Sequence, residues 1–553
     1  MPTEEPRNAP LLTQTATADG SVSDRQFWML GTAIVAIAFL LRLYTIGRDE
    51  LWFDEAISAF AVTFADWPRE ILRSNTPPLY YLLLWAWTAV AGYSETALRF
   101  FSVLSGTLFV GALLLFGRRI VGPRAALWSG LVAALAPVQI YYSQEARVYA
   151  LLSLLLILGY AALWRALETE RPLWWAIHSL WALLALYSHY FAVLALAPGA
   201  LMVWLWPERE RGKQRWLYYC AGMSIAVLLF FPWFLWRFYF TPRSLRNIEW
   251  IKQMWENTPP LLAIPKSLAV FTLGSEYGFT SVVNVKRFGL LLMPAGLRYV
   301  GLFAAALLAV LAAAPWRDHA LGLPWMTTRK AWLWTLLLFP TVAIWLLSFY
   351  HPFYAVGRYE VMTFAGYALL LGLAFAKLQS VPGKGPVLAH LVALMFFLPV
   401  CAKLALYYQA PAVARSRPIA AAIDQLVQNG DVLVLARPRA NRAIYYLALL
   451  GYRWQDEVCE NPVAGRRFLC PIYSQGGNAG RRREDEEARQ AARSFMEKFS
   501  PAEGKLWVLF DRPFVAKGQL RVGPAETWLL EEIQRRKLNP AAVRQAPGLF
   551  RFE

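Results

Sequence analysis

The chain has 553 residues, 57% hydrophobic, 15% aromatic and only 17% charged, against about a quarter charged in soluble domains. That balance excludes a wholly soluble protein: apolar runs recur from residue 27 to residue 408, each about the 20 residues that a helix needs to cross a ~30 Å hydrocarbon core. A net charge of +18 does not imply nucleic acid, because the Lys and Arg sit in short loops between apolar runs, where the positive-inside rule puts them.

In chain order, residues 1–26 are polar and rich in Thr, Ala, Ser and Pro, and read as a disordered cytoplasmic tail. The next segment lacks a small-residue cleavage site and reads as a retained first span. Spans are predicted at 27–46, 97–117, 125–142, 148–164, 174–188, 191–206, 217–236, 299–315, 331–349, 359–376 and 387–408. Basic residues fall between alternate spans and mark cytoplasmic ends: Arg118, Arg119 and Arg124; Arg165 and Arg171; Arg209, Arg211, Lys213 and Arg215; Arg317, Arg329 and Lys330; Lys377 and Lys384.

Segment 77–92 is apolar but short. Counting it as a crossing would place Arg118 and Arg119 outside, so it is assigned to the first outer loop as a half-inserted helix. The transmembrane domain is then 27–408, with outer loops 47–96 and 237–298. The second loop is itself partly apolar (261–273 and 288–293) and has room for two more crossings, giving about 11–13 transmembrane helices.

From residue 409 the composition is that of a soluble domain. Strands are expected at 431–435 and 506–510 and helices at 418–428 and 488–498. The fold class is therefore an all-α polytopic membrane protein with a small C-terminal α/β domain outside the cytoplasm, and that domain holds no Gly-rich phosphate loop or nucleophile motif. Cys220 and Cys401 lie in apolar segments and are expected to be buried. Cys459 and Cys470 are close in sequence, and whether they pair depends on the domain lying in an oxidising compartment.

Two acidic spots carry the chemistry. Trp52-Phe53-Asp54-Glu55-Ala56 stands directly before a helical pattern, where adjacent acids also serve as a plain helix N-cap. Tyr141-Tyr142-Ser143-Gln144-Glu145-Ala146-Arg147-Val148-Tyr149 forms a corner between two spans. Polar groups at membrane depth mark functional cavities, although a Glu145–Arg147 pair that merely stitches the corner is the plain alternative. Arg42 ends the first span, Asn75 and Tyr80 open the half-inserted segment, His189 and Tyr190 form a tight turn, and His351, Arg358, Tyr359 and Glu360 flank another. Each alone is an interface anchor. Together they gather acids, cations and His at one membrane face, as a site between helices requires.

The order Arg42-Leu43-Tyr44, Trp52-Phe53-Asp54-Glu55, Thr76-Pro77-Pro78-Leu79-Tyr80-Tyr81-Leu82, Leu98-Arg99-Phe100-Phe101-Ser102-Val103-Leu104-Ser105-Gly106 and Tyr142-Ser143-Gln144-Glu145-Ala146-Arg147 resembles the GT-C superfamily. Within it, the chain looks most like bacterial relatives of the protein O-mannosyltransferases and lipid A aminoarabinose transferases. The motifs cover roughly the first 200 residues, and Arg358-Tyr359 looks like the family's later Arg-Tyr element. The aminoarabinose transferases carry Glu-Lys before the Pro-Pro, where this chain has Asn75-Thr76, and the corner commonly bears Asp where this chain has Glu145. Their acceptor and any specific metal are therefore not carried over.

The resemblance implies a helical membrane core that transfers a sugar from a polyprenyl-phosphate donor to a hydroxyl of a lipid, glycan or protein at the outer face of a bacterial inner membrane. Asp54 is the implied general base or acceptor-orienting acid, with Glu55 beside it and Glu145 assisting or, with Asp54, holding a divalent metal such as Mg²⁺ or Mn²⁺. Arg42, Arg147 and Arg358, with His189, Tyr190 and Tyr359, are the candidates for binding the donor phosphate, and Asn75, Tyr80 and Gln144 for lining the donor or acceptor loop. Direct attack would invert the anomeric centre, and Asp54 and Glu145 are expected to line one pocket open to the lipid. The expected partners are the lipid-linked donor, the acceptor and membrane lipids, with no nucleic acid. The rival classes are a lipid or solute transporter or flippase, which would place charges at the midplane and show repeats, and a non-catalytic polysaccharide-assembly subunit.

Overall fold

The computed structural model describes residues 22–63, 76–206, 211–239, 249–274, 295–313, 325–409, 416–436, 440–455, 457–473, 482–499, 505–510, 514–516, 519–522, 526–536, 538–543, 546 and 548–552. These residues divide into two compact units. The first comprises residues up to 44, 74–80 and 100–411; the second comprises 45–73, 81–99 and 412–553.

The first unit is helical. Among the described residues, eight helices are long and apolar enough to cross a membrane: Asp24–Leu43, Glu95–Ile120, Tyr149–Thr169, Gly212–Tyr239, Gly296–Ala313, Lys330–Tyr350, Glu360–Ser380 and Gly385–Gln409. Ser23 starts the first with a reciprocal capping box, its hydroxyl accepting from the Gln26 amide and the Gln26 side chain accepting from the Ser23 amide. Pro123–Leu135 and Pro137–Ser143 make a ninth if taken as one span bent by 60°. The bend has a local cause: Pro137 brings no amide hydrogen and a ring that collides with the preceding turn. Leu79–Ala91, Pro172–Leu186, Ala192–Trp204 and Pro260–Leu273 are apolar but shorter, so a total of 11–13 crossings is reached only if these short helices cross too. The loop expected at 237–298 contains the helices Glu249–Glu256 and Pro260–Leu273, while its apolar run 288–293 lies outside the described residues.

Burial sorts the helices by their solvent. The most hydrophobic stretch of Tyr149–Thr169 is 83% buried and that of Glu360–Ser380 is 89% buried, so these two form the centre. Gly212–Tyr239 is 22% buried and turns Leu217, Leu228, Leu229 and Phe231 outward, a surface suited to hydrocarbon. Cys220 and Cys401, expected inside, are exposed on such outward faces. Apolar character does not bury a residue where the surrounding solvent is lipid.

The second unit carries an eight-stranded sheet ordered β2 (Arg453–Gln455), β3 (Val458–Asn461), β4 (Arg466–Leu469), β1 (Val432–Ala436), β6 (Leu506–Leu509), β10 (Leu549–Phe552), β9 (Pro540–Ala542), with β5 (Ile472–Tyr473) also on β1. The centre is parallel, β1 pairing β4, β5 and β6, and the flanks are antiparallel. Strands β1 and β6 are buried throughout, as short continuous apolar runs predict. Asp431 orders the entry to both: its carboxylate accepts from the amides of Gln428 and Lys505 and from Trp507 Nε1, at 3.0, 2.8 and 2.8 Å. The helices Ser416–Leu426 and Arg482–Phe499 overlap the two expected there. Cys459 and Cys470 form a disulfide that ties β3 to the end of β4, with Cα atoms 5.8 Å apart.

Candidate active site

In the first unit the corner 143–148 collects most of the expected polar residues. Gln144 is buried, and its amide donates to the carbonyls of Arg42 and Tyr44 at 3.0 and 2.7 Å while its oxygen accepts from Tyr407 Oη at 2.6 Å. It satisfies the last carbonyls of helix Asp24–Leu43, which have no partners within their own helix. Arg42 is fully buried and does the same for the bend at Ala136. Its Nε donates to Ser143 Oγ at 3.1 Å, Nη1 to Ala38 O and Ala134 O, and Nη2 to Ala133 O. A guanidinium has five N–H groups, so four already serve the protein, and its cation sits at the negative end of helix Pro123–Leu135. A Cβ at Gly106 would overlap Ser143 Oγ and press on Arg42 Nε. That close approach is why a glycine ends the motif Leu104-Ser105-Gly106.

Beyond the corner, a second set faces inward. Arg358 is buried in the turn before helix Phe364–Ser380. Its Nε donates to Tyr149 Oη at 2.6 Å, with the guanidinium carbon 5.7 Å from the Tyr149 ring centre. His189 is half-buried between the rings of Tyr149, Phe191 and Tyr359, at centroid distances of 6.2, 5.6 and 5.3 Å. Its Nδ1 accepts from the Phe191 amide at 3.2 Å, so the neutral ring carries its proton on Nε2. Burial, reinforced by the charges of Arg358 and Arg147, lowers its pKa to about 3. His189 is therefore a neutral donor at physiological pH. Glu145 is buried, and Tyr142 lies within electrostatic reach of Glu145, Tyr149 and Arg358. Arg147 is half-buried and its carbonyl accepts from Ser102 Oγ.

Tyr190 turns to helix Gly212–Tyr239 instead. Its hydroxyl accepts from Trp233 Nε1 at 3.3 Å and bonds to Arg237, and burial raises its pKa. Tyr80 is buried and packs edge-on against Phe101 at 5.9 Å. His351 contacts Phe353. Asn75 lies outside the described residues.

Asp54 and Glu55 belong to the second unit, at the start of helix Phe53–Thr63. Successive helical residues point about 100° apart, and the two acids have different fates. Glu55 is buried: Oε1 accepts from Arg99 Nε at 2.7 Å, and Oε2 from Arg99 Nη2 at 2.7 Å and the Trp52 amide at 3.2 Å. The last contact is the capping role foreseen as the plain alternative. Arg99 also donates to the carbonyls of Ile46, Asp49 and Glu50. Glu55, expected to be a catalytic acid, is thus the ion-pair partner that holds the loop. Asp54 is half-buried on the neighbouring face.

Residues 75–236 match the family described as dolichyl-phosphate-mannose-protein mannosyltransferase. The structure is similar to ArnT from Cupriavidus metallidurans bound to undecaprenyl phosphate, with TM-score 0.54 and 14% identity over 96% of this chain and 98% of that one. The apo state of the same protein aligns over the same shares at TM-score 0.53. The fold is GT-C. The archaeal oligosaccharyltransferase AglB from Archaeoglobus fulgidus, in complex with an inhibitory peptide and a dolichol-phosphate, is similar at TM-score 0.51 and 12% identity over 88% of this chain and 69% of that one. No curated protein matches the sequence.

Within this GT-C fold, the sequence pointed to no role for Arg99, Tyr149 or Arg237, and marked Glu360 only as one of the polar groups flanking a turn. Arg99 and Tyr149 stood in quoted motifs, and a cation or hydroxyl repeated inside an otherwise apolar motif was the available signal. Among the described residues no three His, Cys, Asp or Glu side chains gather as metal ligands.

Proposed function

We propose that the chain transfers a sugar from a polyprenyl-phosphate donor to a hydroxyl of a lipid, glycan or protein acceptor, with inversion, at the outer face of a bacterial inner membrane. The observation that carries the reading is the cluster of buried Arg358, Tyr149 and Glu145 with half-buried, neutral His189 and Arg147, at one corner of a GT-C helical core. Polyprenyl phosphate leaves with the electron pair of the broken anomeric C–O bond, and Arg358 and Arg147 meet the charge that develops on it. The acceptor oxygen forms the new bond from the opposite side and gives its proton to a carboxylate base, the role that the sequence resemblance implies for Asp54. Buried Glu145 assists, as the sequence resemblance implies. The Cys459–Cys470 disulfide favours an oxidising location for the C-terminal domain, which supports an outward-facing orientation.

Asp54→Asn tests the reading. The variant is expected to fold and to bind undecaprenyl phosphate like wild type while transfer falls about 10²–10⁴-fold. Mass spectrometry of lipids and glycans from cells with the gene, without it, or with the variant should show one glycosylated species that only wild type produces. Unchanged products in Asp54→Asn cells would remove the base assignment, and identical profiles with and without the gene would remove the enzyme.

A further inference from the structure

The turn that carries Arg358 is built around a carboxylate that the mechanism above leaves unused. Glu360 has no exposed surface. Its Oε1 accepts from Ser267 Oγ at 2.5 Å and from the Gly357 amide at 3.3 Å, and its Oε2 from the Arg358 amide at 3.1 Å. Ser267 is also 2.9 Å from Tyr354 Oη, so helix Pro260–Leu273 reaches the carboxylate through a hydroxyl pair. Tyr142 Oη ties down the Gly357 carbonyl from the other side at 2.8 Å.

The backbone between these anchors has one available path. Gly357 has φ +75, in the left-handed region, and an added Cβ would stand 2.5 Å from Val270 Cγ1. The Arg358 amide additionally reaches Ala355 O at 2.9 Å. Two consecutive amides donating to one buried carboxylate turn the chain so that the next side chain points at Tyr149. Charge-assisted bonds of this kind are about twice as strong as neutral ones. A buried carboxylate would be costly unless those bonds were made.

We propose that Glu360 is a positioning residue: it captures the Gly357 and Arg358 amides and thereby aims the Arg358 guanidinium at the phosphate of the lipid-linked donor. The proposal rests on the glycosyl-transfer reading for the identity of that phosphate, while the aiming of Arg358 is a property of the turn itself. Glu360 touches no substrate, and its effect passes entirely through Arg358.

The test uses full-length protein in nanodiscs as wild type, Glu360→Gln, Glu360→Ala, Arg358→Ala and the double variant. Two readouts are taken: phenylglyoxal modification of Arg358 by mass spectrometry without ligand, and binding of undecaprenyl phosphate. Glu360→Ala should label Arg358 faster and weaken binding about tenfold, the loss of one well-placed charged contact. Glu360→Gln keeps the shape and one acceptor, and should fall between. The double variant should bind no worse than Arg358→Ala alone, because both changes remove one interaction. Unchanged labelling in both Glu360 variants, or losses that add in the double variant, would overturn the proposal. If wild type binds no undecaprenyl phosphate but labelling responds as expected, the donor assignment fails and the positioning role stands.

Discussion

Replacing Arg99 by Met puts the Asp54 loop to its hardest test. All five N–H groups of Arg99 are engaged: Nε and one Nη2 hydrogen on Glu55, both Nη1 hydrogens on Ile46 O and Asp49 O, and the other Nη2 hydrogen on Glu50 O. The side chains of Arg99 and Glu55 are 5% and 1% exposed, so bulk solvent cannot replace a lost partner. Removing one member of such a pair costs about 3–5 kcal/mol, because the other charge stays buried. Three carbonyls also lose their donor, at about 1 kcal/mol each. A total of about 6–8 kcal/mol rivals the stability of an ordinary domain, so segment 46–55 should open rather than hold the charge. The assay is hydrogen exchange over 46–63 with thermal unfolding in detergent, on Arg99→Met and on Arg99→Met combined with Glu55→Met. The single variant should lose protection in 46–55, melt lower and lose transfer. The double variant should melt higher than the single, since no unpaired charge remains. A single variant with native protection, or a double variant less stable than the single, would refute this account of the loop.

Arg42→Met is expected to lower thermal stability while leaving undecaprenyl phosphate affinity within about twofold, because its N–H groups serve carbonyls at the Ala136 bend; titration calorimetry in nanodiscs checks this. The depressed pKa of His189 makes acid destabilising. The unfolded ring takes a proton as pH falls below about 6.5 and the folded ring resists until about 3, so this contribution is complete above 6.5 and is lost between those values. His189→Asn should therefore show a shallower fall in melting temperature from pH 7 to 4.5 than wild type. Cys459→Ser should cost the C-terminal domain about 3 kcal/mol for a short closed loop, and a cysteine placed at Val463, 97% exposed, as Val463→Cys should react with a membrane-impermeant maleimide in intact spheroplasts. Labelling that requires lysis would reverse the proposed orientation.

Much of the fold was legible because its signals are local. Spans such as Tyr149–Thr169 and Gly385–Gln409 announce themselves by apolar length, and β1 and β6 by short runs that are buried on both faces. The bend at Pro137, inside the span read as continuous over 125–142, was not legible, although its cause is local, the missing amide hydrogen of proline. Which face of a span meets lipid was not legible, and Cys220 and Cys401 show why: in hydrocarbon the apolar rule that separates inside from outside in water no longer discriminates.

The candidate site divides along the same line. The amino-acid sequence by itself determined that Asp54, Glu145, Arg147, His189 and Arg358 are polar groups at the ends of apolar segments, because desolvation makes such groups costly wherever they fall. Their jobs were decided by tertiary structure. Arg42 and Gln144 read as substrate contacts until the helix ends beside them claim their donors. Glu55 reads as a twin of Asp54 until Arg99, 44 residues on, takes both its oxygens. Hydrogen-bond capacity is finite, and which partner uses it is set by what folding brings within about 3 Å, a distance that no spacing in sequence records.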